Sequence, residues 1–295
     1  MDITNICGLQ NIGNTCFMNS ALQLLVNCTV LSKFILNNNF KSEKINLYKK
    51  FLSDYFKNKV ITPNSVKVLV SQQNNIFSGY DQQDSHEFLV CIIDILNEEF
   101  KKEHEHNPKE IIGISMDNLI SNLFNTNITS IIYCEKTGDK SKNKVGEAIL
   151  SLPIRNSASN LTECINDFTV IEKLDGDAKW LNEKDNNYYD AHKRLFIKTL
   201  PKYLIIHLKR FGFDRFSRKN NSEVKMDFKI KINDSNFELR SIVFHMGNTG
   251  GGHYVSLVHK DDKWFLFNDS NVSEITNINN YINKGYIYLY SKCKK

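Results

Sequence analysis

Residues 8–25 read GLQNIGNTCFMNSALQLL. Two glycines and two asparagines punctuate the first eight positions, and an apolar run follows Cys16. Such a change marks a loop feeding a helix, with Cys16 at the helix start. The macrodipole of that helix favours a thiolate. A lone cysteine is more often a small buried hydrophobe, so the rest of the chain has to decide its role.

Outward from this stretch, the N-terminal part reads as helical. Residues 16–36 form one helix with Leu22, Leu25, Val26 and Leu31 on a buried face. Residues 44–56 repeat the pattern through Ile45, Tyr48, Phe51, Leu52 and Tyr55, and Pro63 opens a helix over 64–72. The segment 84–103, DSHEFLVCIIDILNEEFKKE, has capping-box spacing at Asp84 and Glu87. Its stripe runs through Phe88, Cys91, Ile92, Ile95 and Phe100. After about residue 125 the period becomes two. ITSIIYC, EAILSLPI, KYLIIHLKRF, IVFH, HYVSLVH, KWFLFN and YIYLY all read as strands. VKMDFKIKI (224–232) alternates most cleanly, and the polar stretch 172–187 is expected to be an exposed loop. Helices first and strands later predict an α+β protein whose two parts meet in a cleft. With no repeat and no Pro- or Ser-rich linker, a single domain over 1–295 is expected. It would be helical over about 1–125 and strand-rich over about 126–295.

A chain of 295 residues that is 41% hydrophobic can bury a substantial core. The net charge of +5 is spread along the sequence, so no nucleic-acid stripe is expected. His104 and His106, in KKEHEHN, belong to a solvated helix end on this reading, and His86 and His207 are ordinary structural histidines. No run approaches the ~20 apolar residues that a spanning helix needs. MDITNICGLQ lacks the charged and apolar regions of a secretory signal. Seven cysteines without disulfide-like spacing predict reduced thiols, in the cytosol or nucleus.

Cysteine nucleophiles need a histidine in hydrogen-bond reach and a polar group that orients it. His253 follows HMGNTGGG, whose four glycines at 247–252 let backbone N–H groups approach a ligand. Asn268 and Asp269 follow the strand WFLF. Two neighbouring strands would present His253 beside one of these two residues.

GLQNIGNTCFMNSALQLL resembles the cysteine box of the ubiquitin-specific proteases, a family of deubiquitinating enzymes. GYDQQDSHEFL (79–89), LPKYLIIHLKRF (200–211), GGGHYVSLV (250–258) with KWFLFNDSNVSEI (263–275), and YIYLY (286–290) resemble further family segments in the same order. The resemblance implies a papain-like cysteine protease fold with a helical thumb, a β-rich palm and β fingers that grip ubiquitin. It places the nucleophile at Cys16, the general base at His253 and the oxyanion-hole amide at Asn11. Asn268 is the aligned orienter of His253, with Asp269 supporting the oxyanion region; the alternative gives the orienting role to Asp269. Asn serves as well as Asp there, because its carbonyl oxygen accepts from an imidazole N–H.

The resemblance also implies a narrow channel for the ubiquitin tail, Leu-Arg-Leu-Arg-Gly-Gly. Asp84 and Glu87 would meet its arginines, with helix capping as the competing reading of the same pair. Gly251, Gly252, Tyr254 and Phe211 would line the channel. Loops at 212–222, with Arg215, Arg218 and Lys219, and at 247–252 would close over it. Relatives often hold a structural zinc with two CxxC pairs. Here Cys134 stands in CEKT, with Thr137 at the second cysteine position, and 180–190 has no cysteine. Cys134, Cys164 and His192 do not make a tetrahedral site, so neither metal nor cofactor is expected. The expected partners are ubiquitin and ubiquitinated proteins, with the chain a monomer. Two rival readings are a deconjugase of another modifier ending in Gly-Gly and an inactive ubiquitin-binding module.

Overall fold

The computed structural model describes residues 5–106, 110–111, 114–155, 159–212, 219–248 and 251–293. A short strand β1 (Gly8–Leu9) precedes helices α1 (Cys16–Val26), α2 (Thr29–Asn37) and α3 (Glu43–Tyr55). β2 (Val60–Ile61), α4 (Asn64–Gln73) and α5 (Ser85–His106) follow. All eleven residues of α1 are buried, as suits a helix that is apolar almost all round. The single helix expected over 16–36 is two helices bent by 85°. The break falls where Asn27 folds its side-chain amide onto Gln23 O (2.6 Å). There Tyr203 Oη takes the Val30 N–H (3.1 Å), so residue types that compete with helical bonding are satisfied by the bend.

α3 starts where Ser42 Oγ accepts from Ile45 N, and Ser42 is held in turn by buried acids of α5. Glu103 accepts from Lys41 N (2.9 Å) and Ser42 N (2.9 Å), and Glu99 accepts from Ser42 Oγ (2.8 Å). The end of α5 is therefore not wholly the solvated face expected from KKEHEHN. Glu103 is buried, and His104 Nε2 reaches Ser115 Oγ (3.3 Å).

After β3 (Glu110–Ile111), β4 (Ile114–Ser115) and α6 (Leu119–Phe124), the chain turns to strands. β5 (Thr126–Tyr133), β6 (Lys140–Glu147) and β7 (Ile149–Pro153) lead into α7 (Leu161–Thr169). β8 (Glu172–Leu174), β9 (Trp180–Asn182), β10 (Asn187–Tyr189) and β11 (Ala191–Thr199) occupy much of the stretch expected as a loop. The remaining strands are β12 (Tyr203–Lys209), β13 (Lys229–Ile232), β14 (Ser235–Asn248), β15 (Gly251–Lys260), β16 (Lys263–Asn268) and β17 (Asn271–Ile275). A short α8 (Asn279–Ile282) and β18 (Ile287–Lys292) complete the order.

Two sheets matter most. One has the order β6-β5-β11-β8, and β8 is its edge. The other has the order β17-β16-β15-β14-β18-β12-β7, with β13 paired to β14. In the larger sheet Tyr203 and Ile205 of β12 face the helices, while Leu204, Ile206 and Leu208 face a second core with α7 and α8. Burial on both faces explains why this strand reads as a nearly unbroken apolar run.

Of the expected strand over 224–232, only Lys229–Ile232 pairs in the sheet. Val224 and Met226 are buried as the alternation requires. Their backbone N–H groups, however, bond Asn283 O (3.1 Å) and Asn283 Oδ1 (3.2 Å), and Lys225 N bonds Ser159 O (2.7 Å). The segment is an extended arm held by loops. Phe228 is exposed.

Arg210, at the end of β12, is 3% exposed. Its guanidinium donates to Gly285 O (2.8 Å), Asn220 O (3.0 Å), Ser222 O (2.8 Å) and Asn283 O (3.3 Å). It thereby stitches two loops to the sheet with no carboxylate involved. Arg210→Ala leaves those carbonyls without their donor and is expected to cost about 3 kcal/mol in urea unfolding. A loss below about 1 kcal/mol, the usual limit for surface changes, would contradict this role.

Candidate active site

The loop before α1 is fixed by its own side chains. Asn11 Oδ1 accepts from Gly13 N (3.1 Å) and Thr15 N (3.0 Å). Thr15 Oγ1 accepts from Ile12 N (3.0 Å). Thr15 is the N-cap of α1, yet its side chain caps none of the helix N–H groups. The first turn of α1, which begins with Cys16, thus keeps N–H groups that helical bonding cannot satisfy.

β15 runs alongside this helix start. Its register on β14 pairs His253 with Met246 and Gly252 with Gly247. The next residue, Tyr254, lines the same cleft as Cys16. His253 Nε2 lies 2.7 Å from Asn268 Oδ1, which leaves Nδ1 as the ring nitrogen that Asn268 does not engage. Asn268 ends β16, which pairs with β15, and adjacent strands therefore supply the imidazole and its oxygen acceptor.

Asp269 faces elsewhere. It adopts a left-handed conformation (φ 52°) and opens the turn to β17. Its Oδ2 accepts from Asn11 Nδ2 (3.0 Å) and its Oδ1 from Asn19 Nδ2 (2.8 Å). Its backbone oxygen accepts from Leu9 N (2.9 Å). Of the two readings left open by the sequence, the geometry puts Asn268 against His253 and Asp269 against Asn11. Gly8 sits under this turn. A Cβ there would come 2.3 Å from Ser270 O, so the position requires glycine.

Burial pushes the Cys16 thiol above its ordinary range, and the nearby Asp269 carboxylate adds to the rise. Backbone N–H groups of Tyr254, Phe17 and Cys16 pull the other way. The helix dipole at this N-terminus is thus opposed by desolvation of the thiol, on a residue that is 4% exposed.

Cys16, Asp84, Glu87, Phe211, Gly251, Gly252 and Tyr254 line one cleft of about 430 Å³. Asn11, His253, Asn268 and Asp269 form the separate hydrogen-bonded group just described. Asp84 is the N-cap of α5, with Oδ1 accepting from His86 N (2.6 Å) and Glu87 N (3.3 Å). Its Oδ2 accepts from Tyr254 Oη (3.0 Å) and Tyr286 Oη (2.8 Å). Capping and cleft-lining are therefore both true of Asp84, and its oxygens are engaged. Glu87 is exposed in the cleft, and burial followed by the Asp84 charge pushes its carboxyl up.

Two cleft residues were missed by sequence reasoning, Gln82 and His245. Gln82 Oε1 accepts from Gly252 N (3.0 Å), tying the loop before α5 to the glycine-rich segment. His245 packs edge-on against Phe211, and burial followed by the Lys219 charge pushes its pKa down to about 4. Its ring is the reason for Gly252, where a Cβ would come 2.3 Å from His245 Nε2. Lys219 Nζ donates to His245 O and Gly247 O (3.3 Å). The only signal for these was their place inside or beside the quoted motifs. Arg215, Arg218 and Gly250 lie outside the described residues.

Away from the cleft, His207 Nδ1 bonds Ser151 Oγ (2.9 Å) and stacks on His86 at 3.9 Å. Asp139 accepts from Asn182 Nδ2 (2.8 Å) and from Lys184 Nζ, near the buried Cys134. Among the described residues no three His, Cys, Asp or Glu side chains gather as a metal ion would need.

Comparison with known proteins follows the same lines. Residues 7–290 match the family model described as ubiquitin carboxyl-terminal hydrolase. The chain is 31% identical to ubiquitin carboxyl-terminal hydrolase Usp2 of Drosophila melanogaster, over 97% of this chain and 35% of the relative. It is 28% identical to ubiquitin carboxyl-terminal hydrolase 4 of Vanderwaltozyma polyspora, over 99% of this chain and 42% of the relative. It thus spans well under half the length of these two relatives. Among solved structures, it superposes on a chain of the SAGA Ubp8/Sgf11/Sus1/Sgf73 DUB module bound to ubiquitin aldehyde with a TM-score of 0.79. Identity there is 26%, covering 98% of this chain and 70% of that one.

The raised thiol pKa fixes the direction of a pH effect. Alkylation of Cys16 by iodoacetamide in the resting protein should climb with pH through neutrality, about tenfold per unit while the thiol stays protonated. A rate already on its plateau at about pH 6 would instead indicate a preformed thiolate.

Proposed function

The chain belongs to the ubiquitin carboxyl-terminal hydrolase family, and from that premise we propose that it is a thiol-dependent deubiquitinase. It would hydrolyse the isopeptide bond after the terminal glycine of ubiquitin. One observation carries the reading. The consecutive residues His253 and Tyr254 link the two halves of the site, the first bonded through its ring to Asn268 and the second lining the cleft with Cys16.

In the proposed reaction His253 Nδ1 takes the Cys16 proton as the sulfur attacks the glycine carbonyl. This resolves the cost of a buried thiolate, because charge forms only as the bond forms. Asn268 Oδ1 holds the imidazole and stabilises the imidazolium. The second N–H of Asn11 and open N–H groups of the first turn of α1 stabilise the oxyanion; one such donor is worth about 3 kcal/mol. His253 then protonates the leaving lysine amine and later activates the water that cleaves the thioester. The steps need no cofactor.

The tail would thread the cleft that Gln82 and Gly252 line, where His245 leaves no room for a side chain on the wall. Glu87 is the carboxylate open to a tail arginine. Asp84 already accepts four bonds and acts mainly by holding Tyr254 and Tyr286 in place. We read residues 1–295 as one catalytic domain that works as a monomer. The partners are ubiquitin and ubiquitinated proteins rather than nucleic acid or membrane. The seven cysteines stand as free thiols, which suits the reducing cytosol or nucleus.

The test is a ubiquitin whose C-terminus carries a thiol-reactive group. The protein should gain one ubiquitin mass, and Cys16→Ala should gain none. A folded parent that forms no adduct would overturn the proposal, and an adduct with a probe for a different modifier alone would redirect it. Asn268→Ala should lower kcat on a ubiquitin fluorogenic amide by about a hundredfold or more, by analogy with loss of the orienting group in serine proteases.

A further inference from the structure

We propose that Asn19 is a positioning residue that aims the oxyanion donor Asn11 by way of Asp269; the proposal rests on the thiol-protease reading above. Asn19 lies one turn after Cys16 in α1 and is 3% exposed. Its Nδ2 faces three acceptors: Asp269 Oδ1 at 2.8 Å, Leu9 O at 3.2 Å and Gln10 O at 3.3 Å. Three acceptors around one buried nitrogen demand a side chain that offers two N–H bonds. A carboxylate there would face three oxygens, and an apolar residue would leave Asp269 half-paired.

The consequence passes through a single carboxylate. With Oδ1 fixed by Asn19, Oδ2 of Asp269 points in one direction, and there it accepts from Asn11 Nδ2 at 3.0 Å. The other end of Asn11 is pinned by Gly13 N and Thr15 N. The amide plane of Asn11 is therefore held at both ends, with one N–H taken by Asp269 and one left over. Leu9 N on Asp269 O closes the ring of contacts. The same helix turn thus carries the nucleophile and, three residues on, the group that sets the donor for the oxyanion it creates. A loose Asp269 would let the Asn11 amide swing, and stabilisation of the oxyanion depends on a donor fixed beforehand.

Asn19 does not line the cleft, so its loss should act on the chemical step and not on ubiquitin binding. In the full chain, Asn19→Ala is expected to lower kcat on a ubiquitin fluorogenic amide about 10- to 100-fold, the usual scale for losing a supporting partner. Equilibrium binding of ubiquitin and alkylation of Cys16 by iodoacetamide should stay unchanged, since alkylation forms no oxyanion. The double variant Asn11→Ala/Asn19→Ala should be no slower than Asn11→Ala, because the second change acts only through the first. In ¹⁵N-labelled protein, the Asn11 side-chain amide signals should shift in Asn19→Ala. They should shift again in Asp269→Ala, which leaves the core of α1 intact should Asn19→Ala fold poorly. Additive losses, a parallel fall in alkylation, or unshifted Asn11 signals in Asp269→Ala would overturn the proposal. A parent that cleaves no ubiquitin substrate would sink the functional reading instead, while the Asn11 signals still decide the positioning role.

Discussion

The two-residue turn Asp269–Ser270 is the constraint on which the site depends. It presses on Gly8, accepts the Leu9 N–H, and sends the Asp269 carboxylate to Asn11 and Asn19. The residue just before the turn sends its side chain to His253. A strand end from the sheet thus fixes a base on one side and a donor on the other. The two side chains diverge because successive residues of a strand point to opposite faces, and the left-handed backbone at Asp269 preserves that divergence into the turn.

A second bridge works by the same logic at the other end of the cleft. Asp84 caps α5 with one oxygen and takes two tyrosine hydroxyls with the other. Burial, then the Asp84 charge, pushes both phenols up, so they remain donors. The carboxylate is thereby satisfied from both parts of the molecule. Removing it would strand an uncapped helix start and two buried hydroxyls together, which is why capping and site-building are not alternatives at this position.

Much of this was legible in the sequence, for reasons that can be named. Period and composition gave the helices and the strands because α1 is apolar all round and β12 is buried on both faces. The order of motifs gave Cys16, His253, Asn11 and the Asn268–Asp269 pair as candidates. What periodicity did not show were features set by partners distant in sequence. The bend at Asn27 answers to Tyr203, and the arm at 224–228 answers to Asn283. The choice between Asn268 and Asp269 turns on one backbone angle, which neither residue type dictates. Gln82, His245 and Lys219 carry no pattern of their own, since each is defined by the backbone it meets across the cleft. The cost of burial, which pushes the Cys16 thiol up, cannot be read from a sequence, whereas a helix dipole can.

That cost bears on how such a site can be both safe and reactive. Cys16 is 4% exposed, and burial pushes its thiol up. Its reactivity has to come from groups already in place: a ring nitrogen aimed by Asn268, an amide aimed by Asp269, and helix N–H groups left uncapped by Thr15. None of these needs to move when charge develops. Gln82 and Gly252, joined by their hydrogen bond, line the cleft onto which Cys16 opens.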